Sequence, residues 1–200
     1  MSGFAWACGV ALLLAGAPAW PQVIEFESNG LKFQTLTKSG VTVMFAHLPS
    51  HVNAYNIIQV AVSNGSPGPY VVRPEDFFFI RGDGATRRAS TAESVVVLLA
   101  EKGGHSDVLK LVSEYEATLY GSDKVRSTNG YEQRRQAALM AGPSKLRAAA
   151  AASAVAFVQT RLKPGESTDG AVFFDTEGKP LGAGRMVVKT NTDTFEFKAE

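Results

Sequence analysis

The side chains of this 200-residue chain whose types and spacing could do chemistry are few. His47 and His51 are four positions apart, a spacing that would set two imidazoles on one helix face for a metal ion. Pro49 between them argues against that helix, and His105 is distant in sequence. Glu75-Asp76 offers paired carboxylates, but adjacent residues rarely face one substrate, and their place after Pro74 reads as a solvated turn entering a strand. Cys8 is the only cysteine. No nucleophile elbow appears and no glycine-rich loop joins a strand to a helix, so no serine stands above its neighbours and nucleotide binding is not indicated. The sequence nominates no catalytic, cofactor-binding or metal-ligating residue.

Three short motifs carry a chemical meaning and a plainer one. Arg81-Gly82-Asp83 is the tripeptide that integrins read, and also what a hairpin turn selects. Asn64-Gly65-Ser66 matches an N-glycosylation acceptor in a loop. Arg87-Arg88-Ala89-Ser90 resembles a basophilic kinase site, while Ser90 also suits a helix cap. The richer signal is a concentration of aromatic and guanidinium side chains at Tyr115, Tyr120, Tyr131, Arg134 and Arg135, beside Glu132. These types dominate interface hot spots, which makes the five candidates for partner binding. Amphipathic helices also use tyrosine routinely to pack on one another, and the same residues would serve that end, with the arginines paired to Glu114 or Glu116.

The elements that must position these residues are strands at both ends and helices between. Ile24 and Phe26 alternate with Glu25 and Glu27, predicting a strand with the two apolar side chains inward. Asn29-Gly30 predicts a two-residue hairpin into a strand over Leu31 to Leu36, with Leu31, Phe33 and Thr35 on one face. A third strand from Val41 ends at Pro49, and a β-branched run fills Asn56 to Ser63. Tyr70 to Val72 and Phe77 to Arg81 are extended, and Asp83-Gly84 turns back into Ala85 to Ala89. Ser90 with Glu93 forms a capping-box pattern for a helix over Thr91 to Lys102 closed by Gly103, although Val95 to Leu99 is equally apolar enough for a buried strand. Ser106 caps a second helix carrying Val108, Leu111 and Tyr115 at helical spacing. Asn129 with Glu132 starts a third over Tyr131 to Ala141, and Ser144 a fourth through Ala148 to Ala152, whose alanines must pack closely or leave the helix marginal. Val155 to Leu162, Ala171 to Asp175, Met186 to Lys189 and Thr194 to Lys198 read as the closing strands.

Residues 1–19 carry no charged side chain, and the run from Val10 through Gly16 is shorter than the roughly 20 residues that span a bilayer. With Ala17 and Ala19 flanking Pro18 it reads as a signal peptide cleaved after Ala19, which removes Cys8. No later segment is long and apolar enough to span a membrane. Twenty basic and nineteen acidic residues, interspersed, leave a net charge of +1 and no basic footprint for nucleic acid. The organisation expected is a signal peptide at 1–19, the first part of a β-sandwich at 20–90, a helical insertion at 91–154 and the last strands at 155–200.

Ile58 through Val62, Asn64 and Ser66, then Val72, Pro74, Asp76 and Phe77 to Ile80, resemble the immunoglobulin-like domains of exported bacterial proteins, including the telokin-like group. In those domains a strand ending in Asn and Ser leads to a Pro-x-Asp-Phe corner. Leu162, Pro164-Gly165-Glu166, Gly170 and Val172-Phe173-Phe174 are similar to their next landmark, a proline-glycine turn before an apolar strand. The resemblance implies an immunoglobulin-like antiparallel β-sandwich; the helical insertion between early and late strands, read from the helix signals, departs from the simple domain and makes the expected fold class α+β. The resemblance also implies envelope structure or ligand display and brings no catalytic residue with it. The expected role is an exported, periplasmic or secreted, non-enzymatic interaction module whose insertion faces another envelope or secreted protein. A sandwich-based hydrolase or carbohydrate-active protein and a periplasmic chaperone or assembly factor are the alternatives; the first needs convergent titratable groups, the second an open apolar edge.

Overall fold

The computed structural model describes residues 22–28, 30–119 and 142–199, with positions 133, 136, 137 and 140 between them. The expected signal peptide and most of the expected third helix lie outside the described residues. Eleven strands and three helices follow in chain order among those described. Strands β1 (Ile24–Ser28), β2 (Leu31–Lys38), β3 (Val41–Val52), β4 (Tyr55–Asn64), β5 (Tyr70–Val72), β6 (Phe77–Arg81) and β7 (Thr86–Arg88) come first. Helices α1 (Ala92–Lys102), α2 (His105–Leu119) and α3 (Ser144–Val155) intervene before β8 (Thr160–Leu162), β9 (Ser167–Asp175), β10 (Gly184–Lys189) and β11 (Thr194–Glu196).

The strands form an antiparallel, sandwich-like α+β arrangement. One sheet runs β1-β2-β3-β4-β9, the other β11-β10-β6-β7, and β5 pairs separately with β8. Their shared core joins Val43, Phe45, Val60, Val62 and Val172 of the first sheet to Phe77, Phe79, Met186, Val188 and Phe195 of the second. A second core lies on the other face of the first sheet. There Val52, Tyr55, Ile57, Ala171 and Phe173 meet Val95 and Leu99 of α1, Val108 and Leu111 of α2, and the alanines of α3. Strands β4 and β9 therefore bury both faces: Ile57 and Phe173 point to the helices, their neighbours Ile58 and Val172 to the sandwich. Such a strand has no polar face to alternate with, which is why Val172-Phe173-Phe174 reads as a continuous apolar run.

Helix α1 settles the choice between helix and buried strand for Val95 to Leu99. Val95 and Leu99, one turn apart, are its buried positions, and the Gly103 N–H closes the last turn on the Leu99 carbonyl at 2.8 Å. The cap, however, is Thr91 rather than Ser90: Thr91 Oγ1 accepts the Ser94 N–H at 3.1 Å, while the Ser90 N–H donates to the Phe173 carbonyl at 2.8 Å and stitches the helix entry to β9. Nor does Ser106 cap α2. The helix begins at His105, and Asp107 Oδ2 takes the Gly104 N–H at 2.8 Å. The C-terminal half of helix α3 is largely buried, and its alanines let α1 and the sheet approach closely; a Cβ placed on Gly103 would stand 2.7 Å from that of Ala148.

Three strand expectations are corrected. Pro49 does not end β3, which continues to Val52 through an irregularity of register between His47 and His51; the exposed proline occupies the interruption, where no ladder donor is required. The chain at 155–162 is not one strand, because α3 runs to Val155, Ala156 makes a single parallel bridge to Ala171, and only Thr160–Leu162 is extended in a sheet. Ile24 and Phe26 do not point into the sandwich. They lie on its outer face at the sheet's end, 60% and 43% exposed, while Val23 packs against the core.

The Ala156–Phe157 segment crosses the edge of β9, with the Phe157 N–H bonded to the Ala171 carbonyl at 2.8 Å. It fits because residue 170 is glycine: a Cβ there would sit 2.7 Å from the Phe157 backbone. We expect Gly170→Ala to lose about 1–3 kcal/mol through overpacking. Gly68→Ala, where a Cβ meets nothing within 4 Å, should change stability by no more than about 0.5 kcal/mol. Urea unfolding of the two variants checks the contrast, and equal losses would contradict the close crossing.

Candidate functional site

Of the five residues nominated for partner binding, the backbone of Tyr115 lies in α2, and its side chain is outside the description. Tyr120, Tyr131, Arg134 and Arg135 lie outside the described residues. The described part of the helical layer has an outward side of its own. Val97 on α1, Leu109 on α2 and Leu146 on α3 are each more than half exposed. Along the outer side of α1, between Thr91 and Glu101, lies a shallow, open face with Val97 and Leu98 as its apolar part and Glu93 and Glu101 as charged flanks. Sequence periodicity did not reveal it, because Val95 to Leu99 are all apolar and only the packed structure shows which of them remain in water.

A second concavity, about 180 Å³, opens at one end of the sandwich between His47, Asn56, Phe79, Gly182 and Gly184. The His47 ring stands edge-on to Phe45 and Phe79, with centroids 5.6 and 5.8 Å away. The Asn56 amide is engaged by Thr176 Oγ1 and the Lys179 carbonyl, which fastens the loop after β9. His51, beyond the register irregularity, is exposed. Among the described residues no group of three His, Cys, Asp or Glu side chains is placed to hold a metal.

The short motifs resolve into structure. Asn64 is fully buried: its Nδ2 donates to the Gly68 and Leu162 carbonyls at 2.8 and 3.1 Å, and its Oδ1 accepts from the Ser66 N–H and hydroxyl at 3.0 and 2.6 Å. An amide so enclosed cannot present itself to a glycosyltransferase in the folded protein. Arg81 Nε lies 3.8 Å from Asp83 Oδ2, and Asp83 Oδ1 takes the Ala85 N–H, so this tripeptide folds onto itself as turn chemistry. Arg88 donates to the Glu75 carbonyl at 2.7 Å and stands over the Phe78 ring, while Arg87 bonds the Asp175 carbonyl.

Asp76 Oδ2 accepts the Arg73 N–H at 2.9 Å and fixes the 3₁₀ turn Pro74–Asp76. Burial raises its carboxyl above the ordinary 3.8, against the lowering effect of that bond and of the Arg73 charge. Tyr55 and Tyr70 are raised by burial too, the first also by Asp175, with Ser90 and Ser94 pulling Tyr55 back. Tyr70 bonds Thr190 at 2.7 Å and packs as a structural side chain. No family model, curated protein or solved structure matches the chain. Among the described residues no helix is long and apolar enough to cross a membrane.

Asn64→Ala strips partners from four groups at once, and we expect a loss of about 2–4 kcal/mol in thermal or urea unfolding. For Asp76 the raised folded pKa means that the folded chain holds the proton more tightly than the unfolded one. Its contribution to stability is complete below 3.8 and is lost as pH rises through the folded value. The stability of Asp76→Asn relative to the native chain should therefore climb with pH across that range and then level off. A difference that does not vary with pH would contradict the burial argument.

Proposed function

We propose that the chain is an exported, non-enzymatic interaction module: an immunoglobulin-like sandwich that carries a helical layer facing another envelope or secreted protein. The observation that carries the reading is the outward side of that layer, where Val97 and Leu98 form an apolar strip between Glu93 and Glu101. Single exposed apolar residues are ordinary, but an apolar strip with charged flanks on one helix face has the composition of a recognition surface. Tyr115, Tyr120, Tyr131, Arg134 and Arg135 belong to the same stretch of sequence between the early and late strands.

Support for the immunoglobulin-like part comes from the meeting of two sequence landmarks in space. Asn64 and Ser66, which close the early strand, bond to Gly68 and Leu162, and the Asn64 backbone exchanges hydrogen bonds with Gly165 and Glu166 of the later proline-glycine turn. Residues about a hundred positions apart thus form one polar knot at the rim of the sandwich. Such a knot fixes a scaffold and does not convert a substrate.

Photo-crosslinking tests the reading, with a photoreactive amino acid at Val97 and a control probe at the exposed Lys179, both introduced in the host that encodes the chain. The expected result is one discrete adduct from Val97, absent from Lys179 and depleted when Glu93 and Glu101 are both changed to lysine. Capture at neither position above background removes the helical layer as the partner-facing surface.

A further inference from the structure

The two ends of the five-stranded sheet are finished differently. At one end, the edge of β9 is covered: the Ser90 and Phe157 N–H groups bond the Phe173 and Ala171 carbonyls, each at 2.8 Å. At the other end, β1 pairs with β2 along its whole length. Beyond β2, no backbone group among the described residues bonds to Ile24, Glu25, Phe26 or Glu27. An edge left open is a template for another strand, and proteins ordinarily blunt it with charged side chains, proline or a bulge. In β1, Ile-Glu-Phe-Glu-Ser, there is no proline, lysine or bulge, and Glu25 and Glu27 are the only charges. Its outer face is apolar: Phe26 stacks on Phe33 with ring centroids 5.1 Å apart and planes 7° from parallel. A groove of about 500 Å³ runs along the strand past Glu25, Phe26, Glu27 and Phe33.

The charges decide what can lie there. Glu25 and Glu27 are exposed on the face opposite Ile24 and Phe26 and form the outermost charged row of the sheet. Lys32 stands one strand further in, opposite Glu27, and Lys198 Nζ is 3.8 Å from Glu25 Oε1 with both side chains more than half exposed. That loose, solvated ion pair is weakly held and readily exchanged. A second copy of the chain is a poor occupant. Antiparallel pairing of β1 with itself that keeps the faces aligned sets Glu25 opposite Glu27, Glu25 opposite Glu25, or Glu27 opposite Glu27, and like charges directly opposite destabilise a pair.

We propose that β1 receives an extended segment of another protein in which Lys or Arg alternates with apolar residues. The segment adds a sixth strand to the sheet by backbone hydrogen bonding, lays its apolar side chains beside Ile24 and Phe26, and sets its cations against Glu25 and Glu27. This surface is separate from the α1 face, and the two readings stand or fall independently.

The test uses fluorescent peptides alternating lysine with valine, or glutamate with valine, titrated against the whole chain by anisotropy at low salt, where exposed charges are least screened. Two opposed charge pairs predict a preference of roughly five- to tenfold for the lysine peptide. The Glu25→Lys/Glu27→Lys variant, altered only at exposed positions, should reverse the preference. Hydrogen exchange with the lysine peptide bound should show new protection at 23–28 and none in α1. Absence of binding, a preference unchanged by charge reversal, protection elsewhere, or a dimer that forms through β1 would each overturn the proposal. A Val97 adduct obtained alongside any of these leaves the helical-layer reading intact.

Discussion

The pairing of β4 with β9 is the constraint on which the rest of the structure depends. These strands bury both faces, one in the sandwich and one under the helices, so their side chains belong alternately to two cores. A residue such as Ile57 cannot slip by one position without exchanging its place with Ile58, and both cores would lose their fit together. The helical layer is therefore bound to the sandwich through shared strands. The three helices described lie between β7 and β8 in sequence, yet they lean on the β3-β4-β9 end of the first sheet rather than projecting from it.

Much of this could be read from residue order. The alternation in β2, β3 and β4, the Asp83-Gly84 reversal and the closing hairpin of β10 and β11 follow from local period and turn chemistry, and the structure contains them. The misreadings have physical causes. Ile24 and Phe26 look inward-facing because alternation reports that two faces differ, not which face meets the core; Val23 and the glutamates share the core-side row. The run 155–162 looks like a strand because alanine-rich helix, bridge and strand follow one another without a break. Ser90 looks like a cap because Thr91 beside it offers the same chemistry, and tertiary bonding to Phe173 decides between them.

The functional signals were less legible, for a different reason. Motifs such as Asn64-Gly65-Ser66 and Arg81-Gly82-Asp83 use the residues that turns require, so sequence cannot separate display from turn formation; the hydrogen bonds of Asn64 and the contact of Arg81 with Asp83 do. The α1 face and the β1 edge had no motif at all. Each is a matter of which side chains and backbone groups remain uncovered once the chain has packed, and no local pattern records that. The nominated tyrosines and arginines gain no position from the described residues, and their role rests on residue type and neighbourhood.

The separation of β4 from β9 along the chain also sets an order in time. Gln59 Nε2 donates to Asp169 Oδ2 across the two strands, from a residue 110 positions away in the chain. As the chain emerges from its N-terminus, β1 to β4 can assemble early, since their contacts are between neighbours. β4 then presents a bare edge and two apolar faces until more than half of the protein has followed. Long-range pairing of this kind is slow, and an uncovered strand invites the wrong neighbour meanwhile. Folding of this chain is thus a matter of waiting, and whatever shelters β4 during the interval governs how much of it reaches the native state.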